Sequence, residues 1–229
     1  MKKLVIIPAY NEEGSIVKTV NDIKKNAEGF DYVIINDCST DNTLKVCKEN
    51  GFRVVNLPSN LGIGGGVQTG YLYAKRNGYE IAVQFDGDGQ HNASYLNEMA
   101  EKLVSEKLDM VIGSRYIKKE GFQSSGMRRL GIRYFTILIQ IITGTKITDP
   151  TSGMRMAGRD VIEIYASNYP KDYPEPESVV AILKKDKKVK EIAVRMNARE
   201  EGVSSISPGR SVYYMIKVTL AILVAAIRR

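Results

Sequence analysis

A chain of 229 residues with 43% hydrophobic and 26% charged residues has ordinary globular composition, which excludes disorder and collagen-like repeats. Lys and Arg (33) exceed Asp and Glu (26), and the formal charge of +7 favours anionic partners: nucleic acid, phosphorylated small molecules or a lipid surface. Two cysteines and one histidine exclude a disulfide framework, a zinc cluster and a multi-histidine metal cage, so a reduced, cytoplasmic protein is expected.

The apolar run at 4–7 ends at Pro8, too short for a secretory leader, and reads as part of a buried first strand at 3–7. Further strands are predicted at 32–36, 53–57, 81–85 and 110–112, each short and rich in Val and Ile. Between them, 13–26, 39–50, 63–77 and 93–106 carry apolar residues at three- and four-residue steps, the period of a helix. Strands alternating with helices predict an α/β fold, a mostly parallel sheet flanked by helices. Asn50-Gly51 and Asn77-Gly78 read as helix C-caps, and Ser39-Thr40-Asp41 offers N-cap side chains. After Arg115 the pattern changes, and 117–129 is a polar, basic, glycine-containing loop. Helices follow at 130–143, near 160–167 and at 177–185, then a strand at 189–196 and a last helix from Arg210. The apolar segment 212–227 contains Lys217 and falls short of the roughly 20 apolar residues that a membrane span needs. With no repeat, low-complexity tract or linker, one domain over 1–229 is expected.

In a parallel sheet, ligands bind beyond the C-terminal strand ends, near the switch in strand order. Three polar clusters fall there: Pro8-Ala9-Tyr10-Asn11-Glu12, Asn36-Asp37 and Asp86-Gly87-Asp88-Gly89-Gln90-His91. Asp86 and Asp88, just past a buried strand, repel each other unless a cation or a donor sits between them. With the Gln90 amide close by, these oxygens favour a hard ion, Mg²⁺ or Mn²⁺, over zinc. His91 reads as a turn or capping residue ahead of a metal ligand. Gly62-Ile63-Gly64-Gly65-Gly66 opens a helix and serves either phosphate, through backbone N–H groups, or close helix–sheet packing. It is neither a Walker loop nor a dinucleotide fingerprint, since it lacks Gly-Lys-Ser/Thr and follows the third strand.

Taken together, PAYNE at 8–12, NDCSTDNT at 36–43, NLGIGGGVQTG at 60–70, DGDGQH at 86–91, GSRY at 113–116 and DPTSGMR at 149–155 resemble family 2 glycosyltransferases of the GT-A fold. The nearest branch looks like the dolichol- and polyprenyl-phosphate sugar synthases and bacterial polysaccharide transferases, and the resemblance covers nearly the whole chain. It implies a nucleotide-diphosphosugar donor, a divalent metal and an inverting displacement at the anomeric carbon. The implied acceptor is a polyprenyl-phosphate or a lipid-linked glycan in surface polysaccharide synthesis. By the same resemblance Pro8, Tyr10, Glu12, Ile35 and Asp37 surround the base and ribose, and Asp86 and Gly87 line the ribose–diphosphate. Asp88 with Gln90, next to Asp86, would hold the metal. Arg115 would face the donor's sugar-phosphate end and Arg199 its diphosphate. A hydroxyl acceptor needs a carboxylate to take its proton, and Asp149, Glu175 and Glu177 are the candidates; a phosphate acceptor needs no strong base. Glu175 and Glu177 equally suit the first turn of a helix, where the dipole favours acids. The chain then divides into a nucleotide-sugar-binding half at 1–115, an acceptor half at 116–209 and a helix at 210–229. The loop 117–129, with Lys118, Lys119, Arg128 and Arg129 against Glu120, would order over the donor as a lid.

In the last helix Tyr213, Ile216, Leu220, Leu223 and Ile227 recur at helical steps, with Arg210, Lys217, Arg228 and Arg229 and no acid. Such an amphipathic helix suits the inner face of a membrane or a small membrane partner. The alternative is that the stripe packs on the protein's own core or on another subunit of a homo-oligomer. Two other functions remain in view. A sugar-nucleotide-forming nucleotidyltransferase would carry a glycine-rich, basic signature where PAYNEE stands. A nucleic-acid-binding module would interleave aromatics with its charges, which KKDKKVK at 184–190 does not, so no nucleic-acid partner is expected.

Overall fold

The computed structural model describes residues 1–118, 126–197 and 211–227. In chain order the elements are β1 (Lys3–Ala9), α1 (Ile16–Asn26), β2 (Phe30–Asn36), α2 (Thr43–Glu49), β3 (Val54–Asn56), α3 (Gly62–Arg76), β4 (Ile81–Gln84), α4 (Leu96–Ser105) and β5 (Met110–Ser114). The second half adds α5 (Gly126–Thr143), β6 (Arg155–Gly158), α6 (Arg159–Ser167), α7 (Pro174–Leu183), β7 (Val189–Ala193) and α8 (Ser211–Ile227). Among the described residues seven strands form one sheet in the order β3-β2-β1-β4-β6-β5-β7, in which only β6 runs antiparallel to its neighbours.

The continuous apolar run of β1 follows from this position. Leu4 and Ile6 face one core, while Val5 and Ile7 face the other, and all four are fully buried. The first core is closed by α3, α5, α6, α7 and α8, the second by α1, α2 and α4. The helix ends obey the local rules: Gly51 and Gly78 follow α2 and α3 with φ of 63° and 69°, as C-terminal caps require. Ahead of α2 it is Asp41 that caps, its carboxylate accepting from the Thr43 N–H at 2.9 Å.

The glycine run opening α3 packs closely on its neighbours. A Cβ on Gly64 would lie 2.1 Å from the Pro170 carbonyl oxygen and 2.4 Å from that of Lys171, so the helix start and that loop touch backbone to backbone. Of the two readings of this run, close packing is therefore the one with a physical observation behind it.

Four elements differ from expectation. Strand β6 lies between the helices predicted at 130–143 and near 160–167, where no strand was expected, and it inserts between β4 and β5. Helix α7 starts at Pro174, three residues early, because proline is well placed in a first turn. Helix α8 is apolar on both sides rather than amphipathic: Val218, Ile222 and Ala225 are buried in the core, while Tyr213, Ile216, Leu220, Leu223 and Ile227 are exposed. Helix α5 also begins inside the stretch read as a loop, and residues 119–125 of that loop lie outside the described residues.

Candidate active site

The strand order reverses at β1, which has β2 on one side and β4 on the other, and the polar strand ends meet at their C-terminal edge. Pro8 is buried and Tyr10 is exposed at the rim. The Glu12 N–H donates to Thr43 Oγ1 at 2.8 Å, and Glu12 Oε2 accepts from Ser15 Oγ at 2.7 Å. Asp37 is buried at the start of α3, where its carboxylate accepts from the Leu61 N–H at 2.7 Å. The Ile35 side chain is fully buried in the core, so it supports the floor beneath this edge rather than lining it.

The turn after β4 is organised from within. The Asp86 N–H donates to His91 Nδ1 at 3.0 Å, and His91 Nε2 stands 3.5 Å from Asp86 Oδ2. His91 is itself buried, so it acts as the turn and capping residue the sequence suggested. The Gly87 carbonyl accepts from Ser15 Oγ (2.8 Å) and Thr19 Oγ1 (3.1 Å), which ties the turn to α1. Asp88 accepts from the Gln90 N–H at 3.0 Å, and Gln84 Nε2 donates to Asp86 Oδ1 at 3.2 Å. Carboxylates and an amide, all oxygen donors, fit a hard divalent ion. Among the described residues no three His, Cys, Asp or Glu side chains converge as a metal cage.

Across the edge, Arg115 and Asp149 form a buried bidentate pair: Nε and Nη2 each donate to a carboxylate oxygen at 2.7 Å, and the Arg115 N–H adds a third bond at 3.1 Å. Burial works against the Arg115 charge, but the bonds and charge of Asp149 outweigh it and raise its pKa. Asp149 thus spends its carboxylate on holding Arg115, which removes it from the candidate proton acceptors. The Asp149 loop is held in turn by Glu191 on β7, whose carboxylate accepts from the Thr148 and Asp149 N–H groups at 2.7 and 2.9 Å. A Cβ at Gly153 would sit 2.7 Å from Asp86 Oδ2, so glycine is what lets this loop pass against the turn after β4.

Glu175 and Glu177 sit in the first turn of α7, behind Tyr173 with its φ of 49°. Burial pushes the Glu175 carboxyl up; Arg155 opposes that rise, the charge of Asp86 adds to it and Arg115 opposes it. Glu175 therefore shares an electrostatic neighbourhood with Asp86 and Arg115. Glu177 is half-buried on the same turn. Arg199, the other cation expected near the diphosphate, lies outside the described residues, as do Arg210, Arg228 and Arg229. Sequence reasoning assigned nothing to Gln84 or Glu191, which bond the Asp86 carboxylate and the Thr148–Asp149 backbone.

Comparisons with known proteins place the chain by family and by fold. The Glycosyl transferase family 2 profile matches residues 4–165. The UDP-N-acetylglucosamine–dolichyl-phosphate N-acetylglucosaminyltransferase of Methanococcus voltae is 29% identical over 205 residues, covering 80% of each chain. The undecaprenyl-phosphate mannosyltransferase of Micrococcus luteus is 26% identical over 218 residues, covering 91% of this chain and 89% of the relative. Among solved structures, glucosyl-3-phosphoglycerate synthase from Mycobacterium tuberculosis, in complex with Mn²⁺, UDP and phosphoglyceric acid, matches with a TM-score of 0.73. At 20% identity, over 100% of this chain and 79% of that one, it shows the same GT-A fold. The profile match spans well over half of the sequence, and this chain belongs to glycosyl transferase family 2.

Proposed function

We propose that the protein is a metal-assisted, inverting glycosyltransferase that moves a sugar from a nucleotide-diphosphosugar to a polyprenyl-phosphate. The carrying observation is the meeting of the Asp86–Asp88 turn, the Arg115–Asp149 pair and the β1 end at one edge of the sheet. The lipid-phosphate acceptors in the relatives' names support the choice of acceptor.

The base and ribose would lie over Pro8, Tyr10, Glu12 and Asp37, with Asp86 and Gly87 along the ribose–diphosphate. Asp88, Gln90 and Asp86 would hold Mg²⁺ or Mn²⁺, which when bound offsets negative charge on the diphosphate. As the bond from the anomeric carbon to the diphosphate breaks and the bond to the acceptor oxygen forms, charge moves onto the leaving oxygens. Arg115, held rigid by Asp149, is a preorganised cation for that charge, and Arg199 is the second. A phosphate acceptor is already ionised, so no side chain takes a proton. A second reading has a specific observation in its favour: the raised carboxyl of Glu175 suits a general base for a lipid-linked glycan hydroxyl. Glu177 would then orient the acceptor beside it.

For location, we propose a cytoplasmic protein held peripherally at the inner face of a membrane. Among the described residues no helix is long and apolar enough to cross one. Support comes from α8, which exposes Ile216, Leu220 and Ile227, and from α5 beside it, which exposes Leu130, Ile137 and Ile141. Thr219 Oγ1 of α8 bonds Tyr134 Oη of α5 at 3.2 Å, so the two apolar faces adjoin. Arg128, Arg129 and Arg133 are exposed on α5 and match an anionic lipid surface.

The deciding experiment incubates the protein with a panel of sugar nucleotides, a short-chain polyprenyl-phosphate and Mg²⁺ or Mn²⁺, and reads products by mass spectrometry. A lipid-phosphate heavier by one sugar is expected, with the anomeric centre inverted by NMR. Transfer only to a glycan hydroxyl would select the second reading, and release of inorganic pyrophosphate in place of a nucleoside diphosphate would overturn both.

A further inference from the structure

Arg155 is the largest fully buried side chain among the described residues, and the family reading gives it no task. Its guanidinium donates to the Ser152 carbonyl at 2.7 Å and the Pro150 carbonyl at 2.6 Å on one side. On the other side it donates to the Glu175 carbonyl and to Ser178 Oγ at 3.0 Å. Ser178 Oγ donates to the Glu175 carbonyl as well, at 3.1 Å, closing the arrangement. These acceptors are neutral. For stability alone an apolar residue of similar volume is commonly as good or better than a buried charge. What the planar fork supplies is direction: its donors diverge at fixed angles and grip two segments that lie far apart in sequence.

The two segments carry different parts of the site. Pro150 and Ser152 belong to the loop whose Asp149 holds Arg115, and Glu175 opens α7 beside Glu177. We propose that Arg155 is a positioning residue for sugar transfer, fixing from inside the core the placement of the α7 carboxylates relative to the Arg115–Asp149 pair. Accepting bonds from Arg155, the carbonyls at 150, 152 and 175 cannot shift independently. The inference rests on the transferase reading above for its kinetic consequence, but the mechanical coupling stands apart from it.

The test uses the full chain with three substitutions. Arg155→Lys keeps the charge but offers a single nitrogen in place of the fork. Ser178→Ala removes one acceptor and leaves Arg155 intact. Ile162→Val, in the core on α6, is a control for loss of stability alone. Hydrogen exchange is read on 149–153 and 174–178, and kcat and KM are read separately for donor and acceptor. For Arg155→Lys both segments are expected to exchange faster together. Its kcat should fall by about 10²-fold, the cost of displacing by roughly 1 Å the Arg115 cation, whose Asp149 partner sits on the gripped loop, with donor KM little changed. Ser178→Ala should move both readouts in the same direction by less. Faster exchange in one segment only, or a kcat loss no greater than that of Ile162→Val, overturns the proposal. If Arg155→Lys does not fold, Ser178→Ala decides, and unchanged exchange and kcat in it overturn the proposal. Wild-type protein that transfers no sugar would instead count against the transferase reading, while the exchange result still judges the coupling.

Discussion

Asp86 and Asp88 stand two residues apart and meet different surroundings. Asp86 is partly open and faces the Gln84 amide and His91, whereas Asp88 is buried and accepts from the Gln90 N–H. Asp88→Ala should lower turnover by about 10²–10³-fold, as removal of one preorganised electrostatic group does. Its circular dichroism should stay near wild type, since a strand-end carboxylate beside another is no support to the fold. EDTA should abolish activity and Mg²⁺ or Mn²⁺ restore it; full activity in EDTA would sink the metal assignment. Glu175 gives a prediction of opposite character. Its carboxyl is raised by burial, so ionising it costs more in the folded chain than in the unfolded one. The folded state therefore loses stability as pH rises from the ordinary carboxyl value, about 4.3, through the raised one. Glu175→Gln should gain Tm over wild type across that window, with the gain levelling off above it; an equal Tm difference at every pH would refute the account. The carboxylates, Arg115 and the β1 end were legible because residue type and strand-end position are written in the chain. Partners were not. Asp149 looked like a base until its bidentate bonds to Arg115 were seen, and Glu191 looked like any charged residue on a late strand.

Elements were legible where their period was clean. The five parallel strands of the first half and the helices between them follow alternation and apolar spacing closely. Strand β6 did not, because its four residues, Arg-Met-Ala-Gly, hold a charge and a glycine and show no strand alternation. Its Arg155 is buried through bonds to the Pro150 and Ser152 carbonyls and to the Glu175 carbonyl twenty residues on, a pairing that no strand pattern encodes. The glycines of α3 separate by contact in the same way. Gly64 meets backbone oxygens that no rotamer change can clear, so Gly64→Ala should cost about 1–3 kcal/mol. For a chain of this length that corresponds to a fall in Tm of about 2–12 °C. Gly66 has its nearest neighbour, Pro8 Cβ, at 3.9 Å, and Gly66→Ala should leave Tm unchanged or raise it. Thermal melts of the two variants check the contrast, and equal losses would refute it.

At the scale of the whole molecule, the apolar faces of α5 and α8 adjoin on one side of the sheet. Ile216 and Leu220 are 58% and 57% exposed, so Ile216→Ser with Leu220→Ser should leave the fold intact. If the two helices rest on lipid, the wild-type chain should float with anionic vesicles at low salt and the double variant should stay behind. Each basic residue near the surface adds about 1 kcal/mol, so raised salt should weaken flotation. Equal flotation of the variant would refute a membrane role for this face. The sheet order has a consequence for the making of the protein. Strand β5 pairs only with β6 and β7, and both come later in the chain. During translation at about 5–20 residues per second, β4 and β5 therefore wait for seconds with open edges while the segment destined to lie between them is still being made. Ribosome-bound chains stopped before residue 155 should recruit holdase chaperones, and chains extended past β6 should shed them. The hazard of edge-to-edge aggregation is thus greatest on the nascent chain; one short antiparallel strand closes the gap between β4 and β5, and β7 then covers the far edge of β5.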